Sequence, residues 1–238
     1  GGQAMVTAHQ SVERALRLLS SFDDAHGELS VSELARASGI HKSTASRLAA
    51  VLERRGYLRR QQDGYRPGTE LIRLGAVALG SFDLRDAMRP AMERLSRLTG
   101  ETVNLAVPDG GEVLNIAEIP SVYILSSSSS WTGRRTAPHA AANGKILLAH
   151  GALEMPERLD TYTRRTLTSR RRLLAELAEV RHRGYATARS ELEEGLVAVA
   201  APVLDGSGRC VAALSVSGPE FRLSPTAVDR IGRLCASP

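Results

Sequence analysis

The first helix of the chain is predicted by apolar residues that recur at helical spacing between residues 11 and 19. The positions expected to face a core are Val12, Ala15, Leu16 and Leu19. A polar segment that contains glycine follows and ends the pattern. A single amphipathic helix is common to many folds, so the elements after it decide the fold class.

Two shorter helices follow, separated by a tight turn. Ser30 and Glu33 have the spacing of a capping box, so the second helix is expected to begin there and to end at Gly39. The third helix runs from His41 to a stop at Gly56. Two short helices joined by a turn that contains glycine form the helix-turn-helix pattern. Their predicted core positions are Val31, Leu34, Ala35 and Ala37, then Ala45, Leu48, Ala49 and Leu52.

A β-hairpin is predicted directly after the third helix, across residues 57–67. Asp63-Gly64 separates two short β-prone runs, and this dipeptide tolerates the positive φ angles of a tight turn. A basic hairpin that follows a helix-turn-helix is the wing of a winged helix. The ordered set of elements indicates a DNA-binding domain, although each element alone is a weak signal.

Positive charge is concentrated in the third helix and the hairpin. The whole chain of 238 residues has a formal net charge of +5, and residues 39–60 alone hold six Lys or Arg against one Glu, which is also +5. A phosphate backbone is a natural partner for such a patch, although a solvated basic face has the same composition. Short polar residues let a helix approach the major groove of an operator duplex. The predicted DNA contacts are Lys42, Ser43, Thr44, Ser46 and Arg47 in the helix, and Arg59 and Arg60 in the hairpin.

The helix predicted from Glu70 to Phe82 is apolar over most of its circumference. Because helices of this kind are buried, we expect a second subunit to cover it, which makes the protein a homodimer or a dimer of dimers. The alternative is an additional core helix of the second domain. The apolar positions are Leu71, Ile72, Leu74, Val77, Ala78 and Leu79.

The rest of the chain mixes helices and strands, which gives the α+β fold class. The segments for which the pattern predicts helices are 83–99, 140–149, 170–183 and 224–235. The segments for which it predicts strands are 102–107, 113–119, 198–203 and 210–216.

Composition narrows the class of protein. Two cysteines are too few for a disulfide framework, and residues 1–4 lack the pattern of a signal peptide, so a cytoplasmic location is expected. The longest apolar runs are too short to span a bilayer, so no membrane partner is expected. The sequence has no phosphate-binding loop, no nucleophile elbow and no histidine spacing typical of a metal site. We therefore expect no catalytic residues, no metal and no cofactor. An enzyme, and a ligand-binding module without DNA binding, are the alternatives.

Residues 8–235 resemble the IclR family of bacterial regulators. The resemblance rests on the order and spacing of several motifs: Ser43-Thr44 to Leu48, Gly64 to Gly68, Gly100 to Ala106, Gly133 to His139, Asn143 to Ala149, Arg181 to Ala186, Ala200 to Val203 and Ser215 to Pro219. It implies a winged helix-turn-helix domain over residues 8–68, a linker helix over 69–82 and a GAF-like effector-binding domain over 83–238. Family members act as dimers or tetramers, often as repressors, on near-palindromic operators. They respond to small metabolites, often carboxylic acids or aromatic compounds.

The resemblance also implies a position for the effector pocket. Relatives carry an acidic residue and a cysteine where this chain has Ala188 and Ala198, which favours a larger or less polar ligand than a two- or three-carbon acid. The chain also ends soon after Leu234, where relatives often continue, so a shortened last helix is expected. The implied pocket residues are Ala142, Asn143, Ala188, Ala198, Ser215 and Ser217.

Two further side chains have alternative interpretations. Trp131, the only tryptophan, is either a lid of this pocket or an ordinary buried anchor. His139 is expected to pack or to form a hydrogen bond at a helix start rather than to act as a base. The hydroxyls of Ser215 and Ser217 fall on one face of a strand, where they either hold a ligand or bond neighbouring backbone.

Overall fold

The computed structural model describes residues 2–22, 27–80, 83–123 and 130–236, which form two compact units, Gly1–Asp83 and Leu84–Pro238. The predicted residues Ser81 and Phe82 lie outside the described part, as do the side chains of Ala78 and Leu79. In chain order, the first unit contains α1 (Gly2–Leu19), α2 (Val31–Ser38), α3 (Lys42–Arg54), β1 (Leu58–Arg60), β2 (Tyr65–Pro67) and α4 (Thr69–Gly80).

The core of the first unit lies between α1, α2, α3 and the hairpin. Its fully buried side chains include Leu18, Leu34 and Ala45. The prediction for α1 is partly wrong, because Val12 and Leu16 are 62% and 58% exposed. The helix turns the stripe that contains Leu18 toward α2 and α3, and so leaves Val12 and Leu16 on the surface of the chain. Ala37 of α2 is also exposed, and Ser38 is buried in its place.

The ends of α2 follow the predicted local chemistry. The hydroxyl of Ser30 accepts a hydrogen bond from the backbone N–H of Glu33, and the Glu33 carboxylate accepts one from the backbone N–H of Ser30. Gly39 ends the helix with φ +66°, a conformation that glycine adopts at little cost. The capping box and the glycine stop are therefore confirmed.

The hairpin is present, but the reason given for its glycine is wrong. Arg60 pairs with Tyr65, so the connection has four residues, and Gly64 does not have a positive φ. Instead, Leu29 pairs with Tyr65 from outside the hairpin. A Cβ on Gly64 would lie 2.5 Å from the backbone oxygen of Leu29. Glycine is needed here because two backbones approach closely.

Helix α4 exposes several apolar side chains among those that the structure describes. Ile72, Leu74 and Val77 are 73%, 38% and 62% exposed. Its own unit therefore does not cover these side chains.

The second unit is built around one antiparallel sheet. In chain order, its elements are α5 (Asp83–Thr99), β3 (Thr102–Asp109), β4 (Glu112–Ile119), β5 (Arg135–Thr136), α6 (Ala142–Ala149), α7 (Arg170–Arg183), β6 (Ala186–Arg189), β7 (Leu196–Leu204), β8 (Cys210–Pro219) and α8 (Pro225–Ala236). The strand order in the sheet is β5-β4-β3-β8-β7-β6. Helix α7 has the predicted bounds, whereas β8 extends past its predicted end and contains Ser217.

Each face of this sheet has its own core. On one face, residues of α5 and α8, among them Leu95 and Ile231, pack against strand residues such as Val199. On the other face, residues of α6 and α7, among them Ile146 and Leu177, pack against small strand residues. The small side chains on the second face leave room beside the sheet for a cavity.

Candidate functional site

The first turn of α3 presents a polar surface to solvent. Lys42, Ser43, Ser46 and Arg47 are exposed, whereas Thr44 is half-buried. His41 is the N-cap, and its Nδ1 accepts a hydrogen bond from the Ser43 backbone N–H and lies 2.9 Å from the Ser43 hydroxyl. The prediction missed this histidine, because histidine is not among the residues that usually cap helices. Lys42, Ser46 and Arg47 are therefore exposed where they could contact an anionic surface.

The wing adds arginines beside this helix. Arg59 and Arg60 are both exposed on β1. The Arg60 guanidinium lies 5.6 Å from the centre of the Tyr65 ring, and it donates a hydrogen bond of 3.5 Å to the Tyr65 hydroxyl. Arg59 lies directly opposite Arg66 on β2. Arg66 Nε donates a hydrogen bond of 3.2 Å to the Glu28 carboxylate, so the charge of Arg66 is compensated within the same unit.

A cavity lies on the second face of the large sheet, and its lining includes every predicted pocket residue. The space between its walls, counted together with the open solvent at its mouth, amounts to about 470 Å³. The predicted residues come from a loop, a helix start and three strands. They are Trp131, Ala142, Asn143, Ala188, Ala198, Ser215 and Ser217.

Strand pairing explains why these distant residues meet. Ala188 of β6 pairs with Ala198 of β7, which pairs with Ser217 of β8. Ser215 of β8 pairs with Asn104 of β3. Paired residues project to the same face of a sheet, so these side chains form adjacent rows on the floor of the cavity.

The two serines are buried, and their hydroxyls are not bonded to backbone within the described part of the chain. Ser217 Oγ accepts a hydrogen bond of 3.4 Å from Asn104 Nδ2. Neither hydroxyl therefore takes the backbone bonds that the alternative interpretation required.

The start of α6 forms another part of the wall. Ala141, Ala142 and Asn143 line the cavity, and the N-cap Ala141 has no side chain that could accept from the first N–H groups. Uncapped N–H groups and the helix dipole favour an anion at this end. Gly144 is needed here, because a Cβ would lie 2.2 Å from the backbone oxygen of Pro138.

Trp131 is half-buried at the cavity wall. Its backbone N–H donates to the Glu118 carboxylate at 2.7 Å, and the Arg134 guanidinium lies 4.4 Å from its ring centre. A neighbouring open cavity shares Trp131, Leu196 and Ser217 with the first. The indole therefore stands where the two cavities adjoin.

A buried ion pair borders the cavity beside β6. Lys145 is 1% exposed, and its Nζ donates to the Thr187 backbone oxygen and to Glu191 Oε1, both at 2.8 Å. Glu191 lines the cavity. Burial raises the pKa of the Glu191 carboxyl above its usual value, and Lys145 opposes this shift.

Sequence reasoning missed several of the lining residues. Asn104 gave a usable signal, since it is a polar residue inside an otherwise apolar predicted strand. Glu191 gave none, because it lies in a loop whose position depends on the fold. The missed residues are Asn104, Asn115, Thr136, Ala140, Ala141, Glu191, Leu192 and Leu196.

His139 fits the packing role expected of it. The ring is buried, and its Nε2 lies 2.9 Å from the Asp160 backbone oxygen. Over the described residues, no group of three or more His, Cys, Asp or Glu side chains could hold a metal ion. In the same part of the chain, no helix is long and apolar enough to cross a membrane.

Comparison with protein families identifies both units. The IclR helix-turn-helix domain model matches residues 11–62, and the model of the C-terminal domain of bacterial transcriptional regulator IclR matches residues 76–235. The HTH-type transcriptional regulator XynR of Escherichia coli (strain K12) is 37% identical over 216 residues, which cover 87% of this chain and 85% of the relative. The transcriptional repressor IclR of the same strain is 30% identical over 235 residues, with 94% and 85% covered.

Solved structures give the same result. An IclR homologue from Microbacterium hydrocarbonoxydans, complexed with 4-hydroxybenzoate, matches with a TM-score of 0.81 and 27% identity over 95% of each chain. Thermotoga maritima IclR matches with a TM-score of 0.72 and 29% identity, with 97% of this chain and 94% of that chain covered. The relatives of this chain are transcriptional regulators, which excludes the alternative that the chain is an enzyme. The chain therefore belongs to the IclR family of bacterial transcriptional regulators, with a helix-turn-helix DNA-binding domain and a C-terminal effector domain.

Proposed function

We propose that this regulator binds an operator duplex through α3 and the wing, and that a carboxylic acid in the cavity of the second unit changes its affinity for that operator. The observation that carries the proposal is the meeting of seven predicted residues, from five separate stretches of chain, around one cavity. Many of its lining side chains are apolar, with a few convergent polar groups, which is the usual composition of a small-molecule site.

The donors that would hold the acid are hydroxyl and N–H groups. Ser215, Ser217 and the start of α6 supply them. No Lys, Arg or His is among the lining residues that the structure describes, so the carboxylate would be held without a cation in direct contact. Helix N-termini bind carboxylates in this way. The complex of the Microbacterium hydrocarbonoxydans homologue with 4-hydroxybenzoate supports an acid as the class of ligand.

The DNA contacts in this proposal are those predicted from the sequence. Lys42, Ser43, Thr44, Ser46 and Arg47 would enter or border the major groove, and Arg59 and Arg60 of the wing would contact phosphates. The exposed guanidinium groups of Arg59 and Arg60 support an anionic partner at the wing.

The experiment combines a thermal-shift screen of carboxylic and aromatic acids with a double variant, Ser215→Ala with Ser217→Ala. An acid that binds the folded state raises the melting temperature of the natural protein. The double variant should still fold and bind DNA but lose the response to that acid. Thr226→Ala is the matched control, because it removes an exposed hydroxyl from α8. A double variant that responds like the control would refute this position of the pocket.

A further inference from the structure

Positive charge in the second unit is concentrated in one segment, residues 161–175. This segment holds five arginines, no lysine and no acidic residue, so its formal charge is +5. Residues 39–60, which contain α3 and β1, also carry +5, and so does the whole chain. The rest of the chain is therefore at −5. Two segments, one in each unit, account for the basic character of the protein.

The segment joins the loop before α7 to the first turns of that helix, and all five arginines are exposed. Arg165 has an acidic partner, since its Nη1 donates to Glu220 Oε1 at 3.2 Å. The other four guanidinium groups have no hydrogen-bond or ion-pair partner in the part of the chain that the structure describes. These four, which we call the α7 arginine cluster, are Arg164, Arg170, Arg171 and Arg172.

The position of three of these arginines disfavours the helix that carries them. Residues 170–172 lie in the first turn of α7, where the helix dipole places partial positive charge and where acidic side chains stabilise a helix. This turn contains no acidic residue. Cations that lie next to one another also repel. A bound anion offsets both effects, so an anionic partner would stabilise this end of α7.

Buried hydrogen bonds hold the loop that carries Arg164 in place. Thr163 is buried, and its Oγ1 donates to the Ser190 backbone oxygen. Thr166 Oγ1 donates to the Glu191 backbone oxygen at 2.7 Å and accepts from the Thr163 backbone N–H at 2.9 Å. Arg164 therefore projects from an ordered turn, which reduces the conformational entropy that is lost when a partner binds.

The chemistry of the cluster fits the phosphates of duplex DNA better than a protein or a membrane. The centres of protein interfaces are apolar and depleted of charge, whereas four unpaired guanidinium groups are exposed here. A basic helix binds a membrane through an exposed apolar face, and the apolar face of α7, with Leu173 and Leu177, is buried in the second unit. Guanidinium groups donate to phosphate in a planar fork, and the exposed hydroxyls of Thr161 and Thr168 add donors that suit phosphates.

We propose that the α7 arginine cluster is a second DNA contact, which binds phosphates of the duplex that α3 recognises. Phosphate contacts raise the affinity for any sequence and steepen its dependence on salt, whereas contacts to base edges determine the sequence. The cluster therefore contributes affinity, and sequence preference stays with the first unit. This inference rests on the DNA-binding part of the proposed function and adds to it a contact from the second unit.

Variants of the full chain test this contact through binding of a random-sequence duplex, measured by fluorescence anisotropy across a salt series. The cluster variant combines Arg170→Gln, Arg171→Gln and Arg172→Gln. The control variant removes the same charge from exposed arginines of α5 and α8, and combines Arg94→Gln, Arg97→Gln and Arg230→Gln. A third variant has lysine at positions 170, 171 and 172, which retains the charge.

We expect the cluster variant to bind the duplex roughly tenfold or more weakly than the control variant at low salt. Its salt dependence should be less steep by about two to three units, since each phosphate contact that is lost removes about one unit. The lysine variant should keep most of the affinity and the salt dependence. The melting temperature of the cluster variant should be unchanged or raised, because the variant removes cations from the positive end of a helix.

The outcomes distinguish this inference from the proposed function. Equal affinity and equal salt dependence of the cluster and control variants would overturn the second contact and leave DNA binding by the first unit intact. Binding of polyglutamate that is lost in the cluster variant, with DNA binding unchanged, would overturn it in favour of an acidic protein surface. Weak binding by both the cluster and lysine variants, with lowered melting temperatures, would make the arginines part of the fold and also overturn it. No binding of the duplex by the natural protein would overturn both proposals.

Discussion

At the scale of single residues, the role of a charged side chain in this protein depends on its neighbours. Arg47 and Arg54 are both exposed cations on α3, but only Arg47 lies near the first turn, where the other predicted contacts are. Lys145 belongs to a residue type that is almost never fully buried unless it is paired, and here it is paired with Glu191. Residue type alone therefore does not distinguish a structural cation from one available to DNA.

The replacement Arg47→Ala should weaken operator binding by about 1–3 kcal/mol if the guanidinium contacts a base, with relaxed sequence preference. If it contacts a phosphate, binding to all sequences weakens and the salt dependence becomes less steep by about one unit. Fluorescence anisotropy with labelled operator across a salt series measures both quantities.

The control for this experiment is Arg230→Ala, which removes an exposed cation from α8 of the other unit. It should leave operator binding unchanged. Unchanged binding of the Arg47 variant as well would remove Arg47 from the DNA interface.

At the scale of elements, the local signal that ends and caps α2 was reliable, whereas some roles that depend on residues distant in sequence were not found. The cap of α2 depends on Ser30 and Glu33, three residues apart, and was predicted with its chemistry. The role of Gly64 depends on Leu29, which lies 35 residues away in sequence, so the hairpin was predicted but the need for glycine was explained wrongly. The lining residues Asn104 and Glu191 likewise depend on strand register and on a loop position that no periodicity specifies.

The close approach at the wing gives a testable consequence. Gly64→Ala should lower the free energy of unfolding of the first unit by about 1–3 kcal/mol, because the new methyl group would meet the Leu29 backbone. The methyl group would also displace the hairpin from Leu29, and this displacement should weaken operator binding. Chemical denaturation followed by circular dichroism measures the first effect.

Gly27→Ala serves as the control in the same unit, since a Cβ there meets no atom within 4 Å. It should leave stability nearly unchanged. If Gly64→Ala were as stable as this control, the hairpin and Leu29 would not be packed as described.

At the scale of the whole molecule, the exposed apolar residues of α4 matter most. Ile72 and Val77 are both more than half exposed, and exposed apolar surface of this kind marks interaction sites in many proteins. We infer that a second copy of the chain covers them, as the linker-helix hypothesis requires. A homodimer would also present two copies of α3 to the two halves of a near-palindromic operator.

Charge placed on this helix should dissociate the assembly. Ile72→Glu and Leu74→Glu are expected to yield monomers, because an unpaired carboxylate in a subunit contact is costly. Light scattering coupled to size-exclusion chromatography measures the mass. Leu204→Glu, at a half-exposed leucine of β7, should leave the mass unchanged. A dimer that persists in both α4 variants would contradict the proposal.

The position of Trp131 has a practical consequence for spectroscopy. It is the only tryptophan of the chain, and it stands at the cavity wall against the Arg134 guanidinium. Tryptophan fluorescence of the intact protein therefore comes from the cavity wall alone, because no other tryptophan contributes to the signal. Occupancy of the cavity can be followed through the colour and intensity of that emission in unlabelled protein. The same signal, recorded while operator DNA is added, reports whether events at the DNA reach the cavity.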